Sequence, residues 1–141
     1  MNAAASRKLI WWSLTGTKCV FAVWLVGYSP MSQLGPRRYQ AQADIRQLIN
    51  TIRAYFTEFS SSPGSTHVSI IASLGGQNPR RILFYEFPPN RMSASREFVD
   101  PWGSPYYLEA IDATRPIVRS FGPNRKDDGG RVGSDDILDA K

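Results

Sequence analysis

With 141 residues the chain has room for one domain and an added segment, and 42% apolar with 12% aromatic residues gives that domain the material for a core. The net charge of +5 does not point to nucleic acid, because Arg7, Lys8, Lys18, Arg37 and Arg38 supply the whole excess and the remaining charges balance. The one cysteine, Cys19, excludes an internal disulfide and a cysteine-based zinc site, and its apolar neighbours make it a buried apolar residue.

Residues 1–8 form a short basic N-terminus carrying Arg7 and Lys8. Residues 9–28 read LIWWSLTGTKCVFAVWLVGY, about the length that crosses a bilayer. The preceding cations predict a cytoplasmic N-terminus. Lys18 near the centre costs about 2.5–3.5 kcal/mol on insertion scales. Trp11, Trp12, Phe21, Trp24 and the aliphatic residues offset it. A cleaved signal peptide with an apolar core over residues 19–26 is the alternative, but no small-x-small site follows, which favours a retained anchor. A core helix of a soluble protein fits less well, since residues 19–27 lack a polar face. In residues 29–38, Pro30, Gly35 and Pro36 predict a linker.

From about residue 39 to 59 the apolar positions Ile45, Leu48, Ile49, Ile52, Tyr55, Phe56 and Phe59 recur every three or four residues, which predicts an amphipathic helix. Asp44, Arg46, Gln47, Asn50 and Arg53 fall mostly off that stripe. Ser60-Ser61-Ser62-Pro63-Gly64 stops the helix. His67, the only histidine, precedes a short helical run over residues 68–74. No neighbour supplies the nucleophile or orienting group that catalysis would need, so it reads as a surface or capping residue. Residues 75–81 form a turn. They lack the Gly-Lys-Ser/Thr ending of a phosphate loop. Residues 82–87, ILFYEF, read as a strand or a buried edge, ended by Pro88.

The stretch Asp100-Pro101-Trp102-Gly103-Ser104-Pro105-Tyr106-Tyr107 predicts a turn leading into a strand. Pro101 fixes one φ, Gly103 permits a positive φ, and Asp100 can bond the backbone two residues on. Trp102 should cover the core, with its indole N–H finding a carbonyl. Residues 106–111 and 117–121 then form a hairpin about the turn at Asp112-Ala113-Thr114-Arg115-Pro116. The fold class is α+β: a long amphipathic helix packed on an antiparallel sheet of two to four strands.

Three features in this order resemble the C-terminal signature of the major pseudopilins of type II secretion. They are Asp100-Pro101-Trp102-Gly103-Ser104-Pro105-Tyr106, the Ser120-Phe121-Gly122-Pro123-Asn124 step, and the closing Asp135-Asp136-Ile137. The step Leu74-x-Gly76-x-Asn78-Pro79-Arg80 is similar to a subgroup of these proteins. The resemblance covers about residues 39–138. The tryptophan turn and the closing acidic pair are specific together and weak alone.

The resemblance implies a pilin-like head over residues 39–141 and a calcium ion wrapped by the last loop. Asn124 stands where the family carries an aspartate ligand, Asp135 and Asp136 match the closing pair, and Phe121 matches a position offering its backbone carbonyl. Oxygen donors on an irregular loop suit calcium, while Arg125, Lys126 and Arg131 oppose it and Asp127 and Asp128 offset them. The implied partners are other pseudopilin or pilin subunits and an inner-membrane secretion platform. The implied location is the inner membrane, with an extracytoplasmic head. At the N-terminus the chain departs from the family. Gly16 is the nearest candidate for prepilin-peptidase cleavage, but the residue five on is Phe21 where pilins carry glutamate, and Lys18 interrupts the apolar run. The main competing expectation is therefore a tethered or secreted pilin-like binding domain that does not polymerise. An extracytoplasmic hydrolase would need a catalytic cluster that one histidine and turn-bound acids do not supply.

Overall fold

The computed structural model describes residues 34–110 and 112–139. The anchor expected over residues 9–28 and its basic flank lie outside the described residues. Among those described, no helix is long and apolar enough to cross a membrane.

The first helix, α1, runs Leu34–Phe59. It takes in residues 34–38, which the sequence assigns to a linker. Pro36 does not prevent this, because in a first turn the missing N–H has no helical partner to lose. Ala41, Ile45, Leu48, Ile49, Ile52 and Tyr55 are buried, and Phe56 and Phe59 pack against them. Each such aliphatic side chain contributes roughly 1.5–3 kcal/mol through its burial. The helix ends at Ser60, whose φ of 51° turns the chain left-handed while its N–H bonds the Phe56 carbonyl at 2.8 Å. Ser62 Oγ then donates to the Ala110 carbonyl at 2.6 Å, tying the helix end to the hairpin.

Helix α2, His67–Leu74, is capped by Thr66 and not by the histidine. Thr66 Oγ1 accepts from the Ser69 N–H at 3.2 Å, and Ser69 Oγ accepts from the Thr66 N–H at 3.0 Å. This reciprocal pair satisfies two N-terminal donors. Ile70, Ile71 and Leu74 face the core. In the turn that follows, Asn78 holds the chain: its Nδ2 donates to the carbonyls of Ser73 and Ile82 and its Oδ1 accepts the Ile82 N–H.

Residues 82–87 are not a strand but an irregular, partly buried edge of the core. Among the described residues no strand pairs with them, and the N–H groups of Phe84 and Tyr85 both bond the Leu74 carbonyl at the end of α2. Phe84 and Phe87 pack on the core, whereas Leu83 is exposed.

Strands β1, Tyr107–Glu109, and β2, Ile117–Arg119, pair antiparallel, with Tyr107 opposite Arg119 and Leu108 opposite Val118. Asp112 makes the turn by accepting from the Thr114 N–H at 2.8 Å. Isolated antiparallel bridges lie outside this ladder at Met92–Phe98, Val99–Pro105 and Ser120–Ile137. The architecture is α+β, with one core that takes in α1, α2, Phe98, Trp102, Tyr106, Val118 and Ile137.

Candidate functional site: the tryptophan turn and the terminal loop

The tryptophan turn is built around one carboxylate. Asp100 is buried. Its Oδ1 accepts the N–H groups of Trp102 and Ser104, each at 2.9 Å, and its Oδ2 accepts the hydroxyl of Ser120 at 2.6 Å. Its backbone carbonyl accepts the Gly103 N–H at 2.9 Å, with Gly103 at φ 87° as the turn requires. Trp102 is buried, as the sequence predicts. Its indole Nε1 is also buried, however, and has no hydrogen-bond partner, contrary to the carbonyl expected for it.

Ser120 carries the turn into the terminal loop. Its Oγ accepts the Gly122 N–H at 3.1 Å, and its backbone exchanges two bonds with Ile137 at 3.0 and 2.9 Å. Gly122 cannot be another residue without rearrangement. Its φ is 67°, and an added Cβ would lie 2.2 Å from the Asp135 carbonyl oxygen. The loop and the turn therefore belong to one hydrogen-bonded unit. Arg119 adds a second tie: its guanidinium stacks 4.0 Å over the Tyr107 ring and bonds Asp127 Oδ2 at 2.7 Å. That contact, with the Gly129 N–H, holds the Asp127 carboxyl below the ordinary carboxylate range.

Of the four residues implied as calcium ligands, Asn124 and Asp135 are brought together. The Asn124 backbone N–H bonds Asp135 Oδ2 at 3.1 Å, and its side-chain Nδ2 donates to Asp135 Oδ1 and to Asp128 Oδ2. The amide NH₂ thus stands between two carboxylates, where a cation would be favoured. Asn124 Oδ1 points away and accepts the Lys126 N–H at 2.7 Å. A metal at this spot would require the amide to turn over at the expense of that bond. Asp136 behaves differently. It is buried, its Oδ2 accepts the Gly130 N–H at 2.7 Å, and its Oδ1 has no partner. Phe121 is half-buried between Ser120 and Gly122. Among the described residues no group of three or more acidic, histidine or cysteine side chains converges to hold a metal. The oxygen donors suit a hard cation, and the orphaned Asp136 Oδ1 is the atom with an unmet need for one.

A second polar cluster joins α1 to the turn. Asp44 Oδ2 accepts from Arg91 at 2.8 Å and from the Tyr106 hydroxyl at 2.7 Å. Arg91 also donates to the Val99 carbonyl at 2.7 Å and lies 4.5 Å from the centre of the Phe98 ring. Burial and the adjacent Asp44 charge hold the Tyr106 hydroxyl well above the ordinary phenol range. Asp44 is thus no solvated face residue. Its off-stripe spacing could not reveal that Arg91 and Tyr106 would cover it.

No protein-family model matches the chain, and no curated protein or solved structure matches it. A functional reading rests on the site itself.

His67 is the residue whose role sequence reasoning missed most clearly. Its Nε2 accepts the Phe98 N–H at 3.1 Å, so it is a half-buried structural acceptor and not a surface group. Burial lowers its basicity, against the opposing pull of Glu97 and a backbone hydrogen bond with Tyr106. With its Nε2 facing a backbone N–H, it is poorly placed to act as a base.

Proposed function

We propose that the chain is a pilin-like structural subunit of a type II secretion pseudopilus or a related filament, and not an enzyme. The observation that carries this reading is the junction at Asp100. One buried carboxylate fastens the tryptophan turn to Ser120, and through Ser120 to the terminal loop, on a body whose core is lined by α1. That is the arrangement the motif resemblance calls for. In this role the head supplies shape and stiffness. The apolar segment over residues 9–28 holds the subunit in the inner membrane, and heads pack side by side as the secretion platform adds subunits. When calcium is bound it would draw together the oxygens of the terminal loop, with Asn124, Asp128 and Asp135 nearest to doing so and Asp136 and the Phe121 carbonyl as the further candidates. This chain's own residues already close the loop through Gly122, Ser120 and Gly130.

The reading is tested by crosslinking the full chain in native membranes at its natural level. A ladder of regularly spaced oligomers is the expected result. A lone monomer band would instead support a non-polymerising, membrane-tethered binding domain. Phe21, standing where pilins carry glutamate, is the specific observation in favour of that second reading.

A further inference from the structure

A groove of about 470 Å³ opens beside α2, and no residue of the tryptophan turn or the terminal loop lines it. Val68, Ile71 and Ala72 of α2 form one wall, and Phe87, Met92 and Arg96 are among the residues that complete it. The volume falls in the range of small-molecule sites, roughly 300–1,000 Å³. It is too small a concavity to seat a folded protein by itself.

Arg96 is the charged residue of this lining, and like Arg81 and Arg125 it has a positive φ. It occupies the last position of a tight turn in which its own N–H bonds the Ser93 carbonyl at 3.0 Å and the Ser93 N–H bonds the Glu97 carbonyl at 2.8 Å. Met92 and Phe98 pair on either side. The backbone at Arg96 is left-handed, with φ 62°. Glycine or asparagine is the low-strain residue at such a position, and arginine is not. Nor does an internal ion pair account for it: among the described residues no carboxylate lies within ion-pair distance of its guanidinium. The neighbouring Glu97 carboxylate is engaged by Ser95 Oγ at 2.7 Å. Arg96 is exposed at the edge of the groove, so its guanidinium is open to an incoming anion, and an apolar groove edged by a free cation suits an occupant that is apolar along its length and anionic at one end.

We propose that this groove binds a medium-chain aliphatic carboxylate, with its chain along Val68, Ile71, Ala72, Phe87 and Met92 and its carboxylate on the Arg96 guanidinium. The flexible Met92 thioether adapts to the chain, and the planar guanidinium can take the two carboxylate oxygens together. This inference does not depend on whether the chain polymerises.

The test uses the full chain in phospholipid vesicles and a photoreactive decanoate carrying a diazirine on its chain, with the corresponding alcohol as a neutral control. Crosslinked peptides are mapped by mass spectrometry. The expected result is labelling concentrated in residues 67–77 and 87–96, stronger for the carboxylate than for the alcohol and displaced by excess octanoate. In Arg96→Gly the carboxylate labelling should fall about tenfold, while the melting temperature stays level or rises because the left-handed strain is relieved. Equal labelling by acid and alcohol, or undiminished labelling in Arg96→Gly, would overturn the proposal. A lower melting temperature for Arg96→Gly would overturn it too, since Arg96 would then be held in place by the fold alone.

Discussion

At Phe98 the chain turns a backbone N–H toward an imidazole 31 residues earlier instead of toward a strand. The bond needs His67 Nε2 unprotonated. Burial holds the folded-state pKa below the ordinary value of 6.5. A depressed folded value means that the neutral form is favoured by folding. The stabilisation is therefore complete above about pH 6.5 and is lost as the pH falls from there through the folded-state pKa. Melting temperature should accordingly decline in mildly acidic buffer. His67→Leu should remove that histidine-linked step, and at neutral pH it should cost about 1–3 kcal/mol by orphaning the Phe98 N–H. A native chain with a flat melting profile across this window would contradict the assignment. The partner of His67 was not legible in the sequence, because a distant backbone donor leaves no local mark. Asp100 and Gly103 were legible, because an aspartate two residues before its bond partner and a glycine at positive φ are both local turn chemistry. The orphaned indole of Trp102 was not, since side-chain spacing says nothing of which carbonyls a fold leaves within reach.

At the scale of elements, α1 was written plainly in its period, and the buried stripe from Ile45 to Tyr55 follows it. Its beginning was not. Gly35 and Pro36 read as breakers, yet at a helix start they cost little. Residues 82–87 were ambiguous for a physical reason: a short apolar run suits a strand or a buried edge equally, and only the absence of a pairing neighbour decides. The Asp44–Arg91–Tyr106 cluster is the polar pin between α1 and the turn. Its side chains are mostly buried, Arg91 being 16% and Asp44 12% exposed. Removing one partner from such a pair leaves an uncompensated charge, so Asp44→Ala should cost about 3–5 kcal/mol in urea unfolding. Pairing it with Arg91→Met should recover part of that loss, and a double variant no better than the single would contradict the pin. For the terminal loop, chelator should lower the melting temperature and added calcium should restore it. Asp136→Ala should start lower and respond to neither. If the native chain shows no shift with chelator or calcium, the ion has no place in the account.

The whole molecule depends on Asp100 making two sequence features into one body. The hairpin, the turn at Trp102 and the return of Ile137 beside Ser120 all meet at the core that α1 lines. The proposed role as a filament subunit would require that cooperativity, since a head that opened piecewise could not transmit load. The most direct measurement is native-state hydrogen exchange on the full chain. The amides of Trp102, Ser120 and Ile137 should open with the same free energy as those of Ile49 and Ile52. Asp100→Ala, which strands two N–H groups and a hydroxyl, should lower all of them together by about 3 kcal/mol or more. Exchange of the Ser120 and Ile137 amides through a separate, low-energy opening, with the α1 amides still protected in Asp100→Ala, would contradict the account.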